Sequence, residues 1–261
     1  MNPLDHLALW TALVVLGCGH SGATDRTPVA AAAPNTQHRV VFPQPEPPPS
    51  ASIGDAMTDH FAITTFARDA VIAGLLEPLQ APLQALVHYR YEDVRASSAW
   101  MPWIAQLQTI AQSTSQATTL EVAALGVANM ARVCGECHVA MHDGPVWAPA
   151  MAADEERREI DSVEERMGRH DWAARQLWKG LTGPSDGSWR AGAQALIDAP
   201  AELDVQLPED FDDELREVRA LGQSAREATR LAERAEVYGT LIGRCAQCHA
   251  RWNDHAAGNQ G

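Results

Sequence analysis

Lysine is nearly missing from this chain. Lys179 is the only one in 261 residues, so arginine carries almost all of the 20 basic charges set against 34 acidic ones. The resulting net charge of −14 excludes an ordinary nucleic-acid binder, because phosphate binding needs a clustered basic surface. It favours solubility and a partner with a basic docking face. Cysteine is scarce as well: there are five, and they are not scattered among loops as a disulfide framework would place them. The N-terminal apolar run, Leu7 to Leu16, is ten residues long with Thr11 inside it, which is too short to span a membrane. What is present in quantity is hydrophobic residue, 46% of the chain. That is enough for a core and excludes disorder throughout.

The N-terminal run has the length of an export-signal core. Val15-Leu16-Gly17-Cys18 follows at once and resembles the bacterial lipobox, whose cysteine is lipidated and becomes the mature first residue. Met1 to His6 lacks the usual basic residue and carries only Asp5; a buried apolar helix with a chance cysteine is the competing reading. Export assigns 1–17 to a signal peptide and 18–54 to a lipidated Cys18 followed by an Ala- and Pro-rich tether, which includes Pro47-Pro48-Pro49. Such a stretch buries too little apolar surface to fold.

The remainder is a duplication. A shift of 110 places Met57 and His60 on Met167 and His170, and Gln84-Ala85-Leu86 on Gln194-Ala195-Leu196. A shift of 111 places Gln112-Ser113 on Gln223-Ser224, Leu120 on Leu231, and one Cys-x-x-Cys-His set on the other. A single one-residue indel reconciles the two shifts. The expected units are 55–145 and 161–261, joined by a linker at 146–160.

Both halves read as helical. Leu120, Ala124, Val127, Ala131, Cys134 and His138 recur at steps of four and three, and so do Leu231, Ala235, Tyr238, Ile242, Cys245 and His249. That period is one face of a helix. Breakers at Glu77-Pro78, Ser97-Ser98, Gly183-Pro184 and Pro208 divide each half into about four pieces. The expected fold class is all-α, with two tandem four-helix bundles of up-down-up-down order.

Cys134-Gly-Glu-Cys137-His138 and Cys245-Ala-Gln-Cys248-His249 have the pattern of covalent c-type haem attachment. Two thiols three residues apart project from one side of a helical turn, and each can add to a vinyl group at the porphyrin edge. The next histidine then ligates iron. The expected cofactors are therefore two haems c, bound through Cys134, Cys137, Cys245 and Cys248, with His138 and His249 as proximal ligands. Two rivals are weighed against haem. Two C-x-x-C pairs could form one Cys₄ zinc site. A thioredoxin-like redox pair would need a βαβ pattern that is missing here.

The placement of the motifs narrows the family. Only twelve residues follow His249, none a methionine, so the second motif does not fit the small cytochrome c plan with a downstream methionine ligand. A haem motif ending the last helix of a four-helix bundle resembles the class II, cytochrome c-prime-like family, over Ala56–Met141 and again over Met167–Trp252. That family has an aromatic residue three positions after the ligand histidine, then a basic one. Trp252 fits, Met141 does not, and His142 and Asn253 stand in the basic position. The resemblance implies a haem at the end of each bundle.

In an antiparallel bundle the start of the first helix lies beside the end of the fourth. His60 and His170 open the first helix of each half, 78 and 79 residues before His138 and His249, and are the distal ligand candidates. Ile63, Ala67 and Val71 continue one helix, and Ala173, Leu177 and Leu181 the other. Met57 and Met167 lie one turn away and are the weaker alternatives. His142 and His255 share no position between the halves, and His20, His38 and His88 read as tether or surface residues. Trp100, Trp103, Trp172, Trp178 and Trp189 read as core or pocket packing rather than relays. The acidic residues from Asp154 to Glu165 read as an exposed linker or helix, with docking as the competing role.

These features lead to an expectation: an exported dihaem c-type cytochrome, not an enzyme, that transfers one electron at a time between periplasmic or membrane redox partners. The alternative is a five-coordinate haem protein that binds NO or CO or acts as a peroxidase.

Overall fold

A computed structural model of the chain describes residues 53–90, 98–147, 163–199 and 211–258. The signal, Cys18, nearly all of the tether, the acidic stretch Asp154 to Asp161 and Pro208 lie outside the described residues. The chain is all-α. Among the described residues there are eight α-helices, one 3₁₀ turn and no strand. The helices are α1 (Ile53–Ile72), α2 (Gln80–Val87), α3 (Met101–Ser115), α4 (Leu120–Met141), α5 (Val163–Thr182), α6 (Asp186–Asp198), α7 (Phe211–Glu227) and α8 (Leu231–Gly258). None is long and apolar enough to cross a membrane.

Local chemistry sets the helix boundaries. Pro78 lies in the 3₁₀ turn Glu77–Leu79 that leads into α2, and Pro102 is in the first turn of α3, where a missing N–H costs nothing. The Thr119 hydroxyl accepts from the Val122 amide at 3.3 Å and opens α4. Ser185 does the same for α6, accepting from Ser188 at 3.2 Å, just after the Gly183-Pro184 break. α1 ends before Gly74, whose φ of +76° is left-handed and costs glycine little.

The first four helices pack in sequence, α1 on α2, α2 on α3, α3 on α4, with α1 also against α4; α5 to α8 repeat the pattern. The most extensive contact in the molecule, however, joins α4 to α8. These two run antiparallel: Gly239 faces Leu125 and Ala128, Gly243 faces Ala124, and Gln247 bonds to Glu121. The facing residues are small, so the backbones approach closely. A Cβ on Gly239 would lie 3.0 Å from the Leu125 side chain. α1 also touches α8, and α4 touches α5.

One hydrophobic core runs through both halves, from Ile63, Val71 and Leu83 through Val127 and Met130 to Leu177, Trp178, Trp189, Tyr238 and Ile242. Each such side chain contributes ~1.5–3 kcal/mol by burial. The faces read from the sequence are the buried ones: Ile63, Ala67 and Val71 on α1, Ala173, Leu177 and Leu181 on α5, and Ala124, Val127 and Ala131 on α4.

Candidate functional site

α4 brings Cys134, Cys137 and His138 to one side of its last two turns, because residues three and four apart share a helix face. The first turns of α1 share with them a cavity of about 380 Å³. Met57, His60, Trp100 and Trp103 line it together with the two cysteines and His138. Here Trp100 and Trp103 line the pocket, while Trp178 and Trp189 are fully buried core residues. The Trp189 indole donates to the Ala225 carbonyl at 2.6 Å.

His60 is buried, with 4% of its surface exposed. Tyr89 meets its ring edge-on at 4.8 Å between centroids. Burial pushes its pKa down from 6.5 to about 4, since an apolar surround disfavours the charged form. Its imidazole is therefore neutral at neutral pH and can act as a ligand.

His138 is held differently. Its Nδ1 lies 2.8 Å from the backbone carbonyl oxygen of Thr182, the last residue of α5. A carbonyl only accepts, so Nδ1 carries the proton and donates. That leaves the Nε2 lone pair as the ring's ligating position. Gly144 folds back over the same ring: a Cβ there would come within 2.7 Å of it. Trp147, which also lines the cavity, sits 5.7 Å from Phe61 and beneath Lys179, the chain's single lysine.

The second set repeats this plan. Cys245, Cys248 and His249 lie on α8, and His249 Nδ1 donates to the carbonyl oxygen of Ile72, the last residue of α1, at 2.6 Å. His170 is partly buried on α5. Burial first, then the nearby Arg166, His249 and Arg169, lower its pKa to about 4. Met167 is partly buried one turn away.

His142 and His88 do not line the cavity. His142 caps α4 in a left-handed conformation (φ 53°), and His88 caps α2; both are exposed. His20, His38 and Cys18 lie outside the described residues, as does the His255 side chain. Glu164 and Glu165 are exposed in the first turn of α5, and Trp252 is exposed on α8.

None of the four described cysteines forms a disulfide. Burial raises the thiol pKa of Cys134 and of Cys245 to about 12, with help from Cys137 and Cys248 respectively; burial also raises that of Cys137. Such thiols are protonated at neutral pH and are poor nucleophiles for disulfide exchange. The antiparallel α4/α8 pair sends the two cysteine pairs to opposite ends of the molecule, so they do not form a Cys₄ site. Among the described residues no three His, Cys, Asp or Glu side chains converge as metal ligands.

Helix counting gives the spacing. α1 reaches from His60 at one site to Ile72 at the other, and the α4/α8 register sets the two motif histidines slightly further apart. At 1.5 Å of rise per residue both routes give on the order of 20–30 Å.

Sequence reasoning missed the Thr182 and Ile72 carbonyls, Gly144, Trp147 and Tyr89. The carbonyls could have been suspected, because the 110-residue shift that aligns His60 with His170 also aligns Ile72 with Thr182. No protein-family model, curated protein or solved structure matches the chain.

Proposed function

We propose that this chain is an exported dihaem c-type cytochrome that passes single electrons between redox partners at a membrane face. Each half would be a cytochrome c-prime-like four-helix module closed by its haem motif. The observation that carries the reading is the pairing in one cavity. A buried neutral histidine, His60, lines the same cavity as both motif cysteines and a motif histidine whose Nδ1 is already committed.

These residues suit haem. Cys134, Cys137, Cys245 and Cys248 would supply the S–H groups that add across the vinyl groups, and burial keeps the thiols of Cys134, Cys137 and Cys245 protonated. His138 and His249 would ligate through Nε2, with His60 and His170 as the opposing ligands and Met57 and Met167 as the weaker alternatives. A haem held there supplies a one-electron iron couple. The protein does the rest: the donated Nδ1 proton makes each imidazole a stronger electron donor, and Trp100, Trp103 and Trp147 give the first site an apolar surround. With two side-chain ligands per iron no coordination position is left for a substrate, which favours outer-sphere transfer over catalysis.

The net charge of −14 steers a partner with a basic surface. Lipidation at Cys18 would tether the protein to a bacterial membrane facing the periplasm.

The test is the visible spectrum of the purified protein, oxidised, reduced, and reduced with CO. Sharp low-spin bands indifferent to CO are expected. A broad high-spin spectrum that shifts with CO would replace electron transfer with gas binding or peroxidase chemistry. A colourless protein would sink the haem reading altogether.

A further inference from the structure

We propose that α1 and α5 are reciprocal struts, each presenting the distal histidine of one haem site and positioning the proximal histidine of the other. The proposal rests on the haem reading above and concerns how the two sites are built into each other. α1 carries His60 near its start and the Ile72 carbonyl at its end, and α5 carries His170 and the Thr182 carbonyl. In both helices the two groups are twelve residues apart. His60 lines one cavity with His138, while Ile72 accepts from His249 in the other half. His170 holds on α5 the place that His60 holds on α1, while Thr182 accepts from His138. The same exchange thus occurs twice, once in each direction.

Helix ends are suited to this task. The last carbonyls of a helix have no intrahelical donor and sit at the negative end of its dipole, so they are strong, fixed acceptors. At α5 the Thr182 hydroxyl donates back to the Trp178 carbonyl at 2.8 Å, leaving the Thr182 carbonyl to His138, and Pro184 has no N–H to compete for it. At α1 the chain turns away through Gly74, packed so tightly on α8 that a Cβ would lie 3.0 Å from the Ala246 carbonyl and the Ala250 amide. The two struts also touch: the Arg68 guanidinium of α1 lies 5.4 Å from the centroid of Trp178 on α5.

Ile72 and Thr182 are thus positioning residues acting through backbone carbonyls. An acceptor at Nδ1 gives the ligand more anionic character, which stabilises oxidised iron and lowers the site's potential. Each half therefore tunes the potential of the haem attached to the other, although the irons are far apart.

The test uses the full-length holoprotein, after a haem assay has established two covalent haems per chain. A count below two is a failure of the haem reading, read before the variant is made. Gly74→Ala acts where the α1 terminus meets α8, placing a methyl against the Ala246 carbonyl and the Ala250 amide. It is expected to raise the potential of the haem on Cys245/Cys248. It is also expected to speed solvent exchange of the His249 Nδ1 proton about fivefold or more, the factor implied by losing a hydrogen bond of ordinary net strength. The His138 proton should be unchanged. An unaltered His249 proton, or equal changes at both histidines, overturns the proposal. Should the variant fail to mature, proton NMR of the reduced wild type decides. The His249 Nδ1 proton must show contacts to Ile72 and Ala73, and that of His138 to Thr182 and Gly183. Contacts confined to each histidine's own half refute the struts.

Discussion

His249 Nδ1 donates to the carbonyl oxygen of Ile72 at 2.6 Å, joining residues 177 positions apart. The bond ties the Cys-x-x-Cys-His motif of the second half to the first helix of the first half, and its counterpart from His138 to Thr182 ties the reverse pair. The two halves are built as one object around the α4/α8 contact.

Removing the distal histidines separates their roles. His60→Ala should turn the haem on Cys134/Cys137 high-spin and open it to CO, leaving the second haem low-spin; His170→Ala should do the converse. Covalent attachment should survive in both, since the cysteines are untouched. Absorption spectra with and without CO read this directly, and unchanged spectra in both variants would eliminate bis-histidine ligation.

The cysteines can be counted chemically. The double substitution Cys245→Ala, Cys248→Ala should leave one covalent haem per chain after denaturation, half the wild-type ratio. Haem staining of a denaturing gel together with intact mass measures it; an unchanged ratio would mean that the second motif carries no haem.

Acid should destabilise the fold through buried His60 and partly buried His170. Their folded pKa, about 4, lies below the ordinary 6.5. Between these values the unfolded chain binds more protons than the folded one, so stability is full above pH 6.5 and falls as the pH drops toward 4. For His60 the loss across that window is about 3 kcal/mol at most. Urea midpoints at pH 7 and pH 5 should differ in this sense, and His60→Leu should flatten the dependence. Iron ligation would move the window to lower pH.

The α4/α8 contact should resist enlargement. Gly239→Leu places a large side chain where a Cβ alone already meets Leu125 at 3.0 Å, and should cost about 1–3 kcal/mol or more. Gly187→Ala, with nothing within 4 Å, should be neutral or slightly stabilising on helix propensity. Denaturant unfolding of both variants provides the comparison.

Much of this was legible before the fold was known. The four-and-three spacing through Ala124, Val127 and Ala131 marked the buried face of α4, because burial and helical period are both written in side-chain type. The duplication singled out His60 and His170, and His60 lines one cavity with His138. Trp147 and Tyr89 were not legible. Each reaches its site through a chain path with no periodic signal, and a lone aromatic residue reads as ordinary packing.

The sequence by itself determined the helical class, the internal repeat and the two sets of chemistry-bearing side chains, because these depend on residue identity and local spacing. Only the tertiary structure decided that α4 and α8 pack antiparallel, that the motifs therefore lie at opposite ends, and that each motif histidine is braced by the other half. The bracing groups are backbone carbonyls, which every residue possesses. Their role comes from where a helix stops and what it stops against, and that is settled by packing between segments far apart in the chain.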